Sequence, residues 1–323
     1  MRTILKDYQW PCFTIKKKIV YDKKNKNKNP TKLRKKIEKF FSDKYGYDAF
    51  LYPSAKAIIG SILRFYDFNR SKEVFVNKWV SHCLFNTVGR YTNISTSYKN
   101  PDMIIAIHKW GFEQIFSKSR KIIIEDSVDS IILKKNKMFL NNSEFEFISL
   151  SKIVGSFSGG IIFTKNKKFQ KFAKIEQNQN KEMGIYQTKK KIDDFNKVKS
   201  FDTFHYHEST NTYSDYNLVK NIDQNLKNFN INKSILIKRK MIINKIISIK
   251  KTQDYRLGPI AAIHKNKIKN HIIMKKYFLE RHINKNQKSH SEFEKIYIVP
   301  LHFGISDQEF DFYCNIIERA IKK

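Results

Sequence analysis

Phe147-Ile148-Ser149-Leu150-Ser151-Lys152-Ile153-Val154-Gly155-Ser156-Phe157-Ser158-Gly159-Gly160 links two apolar runs, Phe145 to Ile148 and Ile161 to Phe163. Between them stands a lysine with hydroxyls three and one residues earlier, followed by a glycine pair just before the next strand. Gly159 and Gly160 permit a positive φ or a close backbone approach that other residues resist. Desolvation in such a pocket is expected to lower the pKa of Lys152, making its neutral amine available for nucleophilic attack and proton transfer. The plainer alternative is a strand-to-strand turn displaying a surface lysine.

Outward from this stretch, short apolar runs alternate with amphipathic segments from Leu33 to about Thr164. Strands are expected at Val74-Phe75-Val76, Ile104 to Ile107, Ile122-Ile123-Ile124, Phe145 to Ile148 and Ile161-Ile162-Phe163. Helical spacing is read over Leu33 to Tyr45, closed by Gly46, and over Ala55 to Tyr66, His82 to Gly89 and Phe112 to Ser117. The alternation predicts an α/β domain whose sheet is mostly parallel and buried on both faces. Lys165 to about Asn232 is polar and weakly patterned. A long helix is predicted over Lys233 to Ile249, with Ile235, Ile237, Met241, Ile242 and Ile246 apolar. Near the end, Ser306 and Glu309 have the spacing of a capping box, ahead of an apolar face of Phe310, Cys314, Ile317 and Ile321. Length favours two domains: a large one over 1–232 and a small α+β one over 233–323.

The 323 residues carry 63 Lys and Arg against 30 Asp and Glu, a formal charge of +33. Such a charge ordinarily points to nucleic acid or anionic membrane. Here the lysines are spread along the chain and accompany abundant Asn, Ile, Phe and Tyr, amino acids with AT-rich codons, so compositional drift accounts for them. The densest run, Lys16 to Lys36, reads as a solvated loop. A nucleic-acid partner is therefore not expected, although the field can help to draw in an anionic substrate. With 41% hydrophobic residues the chain can bury a core. No apolar run reaches the roughly 18 residues of a membrane helix, and Met1 to Pro11 lacks the apolar stretch of a secretory signal. Three dispersed cysteines, Cys12, Cys83 and Cys314, suit a reducing compartment. A cytoplasmic protein with neither membrane association nor a metal site is expected.

Two further elements stand upstream of Lys152. Ile122-Ile123-Ile124-Glu125-Asp126 delivers a carboxylate at a strand end, the edge at which α/β sheets bind ligands; taken alone, such an Asp is also a common turn or cap residue. Tyr52-Pro53-Ser54-Ala55-Lys56-Ala57 is a small-residue turn into a helix, of the kind that a resemblance named below implies for phosphate binding by Ser54 and the amides of Ala55 and Lys56. A lysine for a Schiff base, an acid for a pyridine nitrogen and donors for a phosphate are what pyridoxal 5'-phosphate (PLP) catalysis demands.

In this order the residues resemble the DegT-type sugar-nucleotide aminotransferases, which have the aspartate aminotransferase fold. The resemblance rests on Lys152 with Gly159 and Gly160 seven and eight residues beyond it, on Glu125-Asp126 and on the turn at Ser54. It extends to His108-Lys109-Trp110-Gly111, similar to the family's His-x-x-Gly, and to Ile298-Val299-Pro300-Leu301-His302 with Ile305-Ser306 at the tail. It covers about residues 33 to 165 and 233 to 323. It implies PLP on Lys152, Asp126 at the ring nitrogen, and phosphate contacts from Ser54, Ala55, Lys56 and Ser149, with Ser151 as the alternative to Ser149. For stacking on the ring His82 aligns best and Trp79 comes second, and ordinary packing explains either residue equally well. It also implies a homodimer whose sites borrow partner residues, with the 180–232 segment suspected of contributing, and transfer of an amino group, with glutamate as the donor, to a nucleotide-linked keto sugar.

One departure stands out. Three residues after Asp126 the family usually has Gln or His near the cofactor's phenolic oxygen, and here stands Asp129, whose charge would repel that oxygen unless it turns away or is protonated. A family member that has lost catalysis is therefore one competing reading. A sugar dehydratase of the same fold is another, opposed by Lys152, since that branch replaces the lysine with His. A basic nucleic-acid-binding protein is a third; its affinity would fall steeply with salt.

Overall fold

Apolar strands of four or five residues, too short to form independent structure, are stabilised by joining one sheet and burying both its faces. The computed structural model describes residues 11, 18–77, 81–95, 97–116, 121–197, 211–248, 255–264 and 296–322. In chain order the described elements are α1 (Thr31–Tyr45), β1 (Asp48–Tyr52), α2 (Ala55–Phe65), β2 (Glu73–Val76), α3 (His82–Tyr91), β3 (Asn93–Ser95), β4 (Met103–Ile107), β5 (Ile122–Asp126), β6 (Ile131–Ile132), β7 (Phe145–Ser149), α4 (Leu150–Ile153), β8 (Gly160–Thr164) and α5 (Lys167–Glu176). There follow α6 (Lys181–Lys197), α7 (Tyr216–Asn225), α8 (Asn228–Ile246), β9 (Arg256–Leu257), β10 (Ile260–His264), β11 (Ile296–Pro300) and α9 (Asp307–Lys322).

Seven strands form the main sheet in the order β1-β8-β7-β5-β4-β2-β3. All its strands run parallel except β8, which is antiparallel to both its neighbours. Alternating side chains feed two cores. Phe50, Tyr52, Phe145, Phe147 and Ile162 pack with Ile58, Ile59 and Ile62 of α2 and Phe169 of α5. Leu51, Ile148, Ile161 and Phe163 pack with Ile37 and Phe41 of α1, Ile222 of α7 and Phe229 of α8. Each such side chain contributes roughly 1.5–3 kcal/mol when fully buried, so the α/β architecture read from the sequence follows from the two-faced burial. Two short antiparallel pairs complete it, β10 with β11 and β6 with β9. No helix among the described residues is long and apolar enough to cross a membrane.

Several local expectations change. Phe112 to Phe116 is not helical, and Ser117 lies outside the described residues. A single turn over Lys109–Gly111 puts Trp110 at φ 54°. Side chains then satisfy the following backbone: Phe116 N–H donates to Asn141 Oδ1 (2.6 Å), and the Asn141 amide donates to the Gln114 carbonyl (3.0 Å). The polar stretch after Lys165 is largely helical, as α5, α6 and α7, with Asn166 and Asp215 capping two of the starts. Helix α8 begins at Asn228 and ends at Ile246, and its buried stripe is Phe229, Asn232, Leu236, Arg239 and Ile243, whereas Ile237 and Met241 are exposed. Two polar residues displace the expected isoleucines because they satisfy buried carbonyls: Asn232 donates to Ile153 O (2.7 Å), and Arg239 to His302 O (2.8 Å) and Ile305 O (2.7 Å). The capping box forms as expected, Ser306 N–H donating to Glu309 Oε2 (2.9 Å) and Glu309 N–H to Ser306 Oγ (3.2 Å). Cys83 and Cys314 are free thiols, and Cys12 lies outside the described residues.

Candidate active site

Register brings the candidate residues to one edge of the sheet. Ile107 sits opposite Asp126, and Asp126 opposite Phe147. Two residues beyond Phe147, Ser149 sits opposite Gly160, which in turn faces Tyr52. The ends of β1, β5 and β7 thus deliver Ser54, Asp126 and Ser149-Lys152 to the carboxyl edge of the parallel strands, where this architecture binds ligands.

Ser54 caps α2, its Oγ accepting from Ala57 N–H (3.2 Å), and Ala55 and Lys56 open the helix. The first amides of a helix have no acceptor within it, which suits them to an anion. Gly160 lets β8 lie against this turn: a Cβ there would stand 3.0 Å from Ala55 N and 3.1 Å from Ser54 C. Gly159 has φ +114°, a conformation L side chains rarely adopt, and its N–H donates to Pro53 O (3.0 Å). The glycine pair therefore serves both purposes expected of it.

Asp126 is buried, and its Oδ1 accepts from Val128 N–H (3.0 Å). Desolvation raises its pKa to about 7, with the Asp129 charge adding to the rise and Lys152 and Lys109 opposing it. Lys152 lies on the short α4 and donates to Asp129 Oδ1 as an ion pair, with side chains 19% and 10% exposed. Desolvation alone would lower the Lys152 pKa, as expected from the sequence. The charge and hydrogen bond of Asp129, with smaller contributions from Cys83 and Asp126, outweigh it and raise the value. In the protein without cofactor Lys152 is thus held as the ammonium, a correction to the expected neutral amine. Asp129 has turned to the lysine, which removes the reason to expect it to act as a bare anion.

The hydroxyls of Ser149 and Ser151 lie 3.0 Å apart, so the two alternatives for the phosphate contact share one place. His82 opens α3; its side chain and Trp79 lie outside the described residues.

A second cluster escaped the sequence reading. Behind Asp126, Glu125 and Glu146 are fully buried with His108 and Arg256. The Arg256 guanidinium donates to Glu146 Oε1 (2.9 Å) and stands 3.5 Å from Glu125 Oε2. His108 Nδ1 accepts from Gln114 N–H (3.1 Å), so its Nε2 is placed to donate to Glu125 Oε2 (2.8 Å). Ser143 Oγ and Asn141 N–H donate to Glu125 Oε1, and Ser127 Oγ and Phe139 N–H donate to Glu146. The carboxylates are engaged by arginine, amides and hydroxyls, which makes the cluster a scaffold for the strand end that bears Asp126. Glu146 inside Phe145-Glu146-Phe147-Ile148 was the available signal, an acid within an otherwise apolar strand.

A family model of PLP-dependent aminotransferases matches residues 37–323. No curated protein sequence matches the chain. Among solved structures, a DegT/DnrJ/EryC1/StrS aminotransferase from Brucella abortus is similar at 11% identity and TM-score 0.64, covering 90% of this chain and 91% of that one. NtdA from Bacillus subtilis, solved with bound cofactor PMP, gives 12% identity and TM-score 0.64 over 90% and 77% of the two chains. DesI, solved in the presence of its TDP-sugar product, gives 11% and 0.61 over 91% and 86%. At these identities the likeness is one of fold.

Proposed function

Since the chain belongs to the PLP-dependent aminotransferase family, we propose that it moves an amino group from an amino acid, with glutamate as donor, to a keto sugar carried on a nucleotide, as a DegT-type member. The observation that carries the reading is the gathering of Asp126, Lys152 and the Ser54 turn at one sheet edge. The fold-level likeness to DesI, solved in the presence of its TDP-sugar product, supports the choice of acceptor.

The residues fit PLP. A Cβ on Gly160 would crowd the α2 start, so the glycine leaves a cradle in which Ser54, Ala55 and Lys56 would hold the phosphate, with Ser149 or Ser151 beside it. Asp126, costly to ionise in its buried place, would gain a cationic partner in the ring nitrogen and help to keep that nitrogen protonated. His82 would lie against the ring. When bound, PLP supplies an electron-withdrawing ring that stabilises negative charge at the carbon bearing the amino group. Lys152 would serve as the base at the donor's α-carbon, a task suited to an amine on a flexible four-carbon stem. The same reading divides the chain at residue 232 and places a homodimer in the cytoplasm.

One observation favours a second reading, a member without catalysis: Lys152 is already engaged by Asp129. Mixing the PLP-loaded protein with glutamate decides between them. The first predicts loss of the cofactor's visible absorbance and release of one 2-oxoglutarate per site. A spectrum unchanged by glutamate and other amino donors, with cofactor plainly bound, leaves the second.

A further inference from the structure

Lys152 and Asp129 approach from different elements, the lysine from α4 and the aspartate from the turn between β5 and β6. Their contact is at once a hydrogen bond and an ion pair, between largely but not fully buried side chains. Among the described residues, the other ionisable groups acting on Lys152 are Cys83 of α3 and Asp126 of β5, and Lys109 after β4 acts in turn on Asp126. Asp126 is committed, in the reading above, to the ring nitrogen. Asp129 is the carboxylate in direct contact with the lysine nitrogen.

A conservation of charge makes this consequential. An ammonium that condenses with an aldehyde yields a protonated imine and one water, the aldehyde oxygen leaving with two of the ammonium protons. The nitrogen carries one positive charge before and after. We propose that Asp129 is the counter-ion of the Lys152 nitrogen in both forms, free and joined to PLP, and that it extends to higher pH the range over which the joined nitrogen keeps its proton. The proposal rests on the assignment of PLP to Lys152. Its physical basis is that an opposite charge at hydrogen-bond distance favours the charged form. The protonated imine is also the more electrophilic form, so Asp129 keeps the site receptive to an incoming amine in alkaline solution. The same pairing hinders loading, because attack on the aldehyde requires the lysine to lose a proton first.

The experiment is a pH titration of the visible spectrum of PLP-loaded wild type, Asp129→Asn and Asp129→Glu, since protonated and neutral imines absorb at different wavelengths. The midpoint should fall by at least about one pH unit in Asp129→Asn and return most of the way to the wild-type value in Asp129→Glu. PLP loading should also be faster in Asp129→Asn than in wild type at pH 7. A chromophore mapped to Lys152 with equal midpoints in all three proteins overturns the proposal alone. A wild type that forms no chromophore, or forms it on another lysine, overturns the assignment beneath it and the proposal together.

Discussion

At the residue scale, Asp126, proposed to face the ring nitrogen, costs the folded protein stability when it ionises. Its pKa rises from 3.8 to about 7, chiefly by burial. A raised value means the folded state binds the proton more tightly than the unfolded chain. The resulting stability is present below about pH 3.8 and is lost as pH passes through about 7, by at most on the order of 4 kcal/mol. Asp126→Asn keeps the acceptor for Val128 N–H and removes that loss. Without cofactor it should melt above wild type at pH 8 and level with it near pH 4, while binding PLP at least about tenfold more weakly, the factor that 1.4 kcal/mol represents. Thermal melts at the two pH values and a PLP titration check it; a variant no more stable than wild type at pH 8 would contradict the burial argument. The sheet-edge positions of Lys152 and Asp126 were legible in the sequence because Asp126 closes one apolar run and Lys152 stands shortly after another. The Lys152–Asp129 contact was not, because it depends on how α4 and the β5–β6 turn meet in space.

Among the elements, the start of α2 and the start of β8 depend on each other. A methyl group on Gly160 would meet Ile58 Cδ1 at 2.9 Å and Ala55 N at 3.0 Å. Overpacking of this kind costs about 1–3 kcal/mol, and here it displaces the amides proposed to hold phosphate. Gly160→Ala should therefore weaken PLP binding by more than its loss of melting temperature accounts for. Equilibrium dialysis beside thermal melting tests this, and unchanged affinity would remove the Ser54 turn from the site. Strands with long apolar runs were readable, as were α2 and the capping box of α9. Phe112 to Phe116 misled because its spacing is helical while the backbone is held by Asn141 and Gln114. The buried faces of α8 hid behind Asn232 and Arg239, residues that hydrophobic periodicity counts as exposed.

For the whole molecule, the buried polar network of Arg256, Glu125, Glu146 and His108 joins the β9 strand to the main sheet. Removing one partner of a buried ion pair typically costs 3–5 kcal/mol. Arg256→Met should lose about that much in urea unfolding. It should lose more at pH 8 than at pH 5, because burial already raises the Glu146 pKa and Arg256 is the foremost group opposing that rise; equal losses at both pH values would show that packing dominates. The overall α/β architecture was legible from alternation alone, whereas this network joins Arg256 to acids more than a hundred positions away, and nothing at Glu125, His108 or Glu146 signals in the sequence that they meet. The central claim, that Lys152 carries the cofactor, is tested most directly by incubating the intact protein with PLP, reducing with borohydride and mapping the modified peptide by mass spectrometry. One pyridoxyl group on Lys152 is the predicted result; a group on another lysine, or none, would contradict the account.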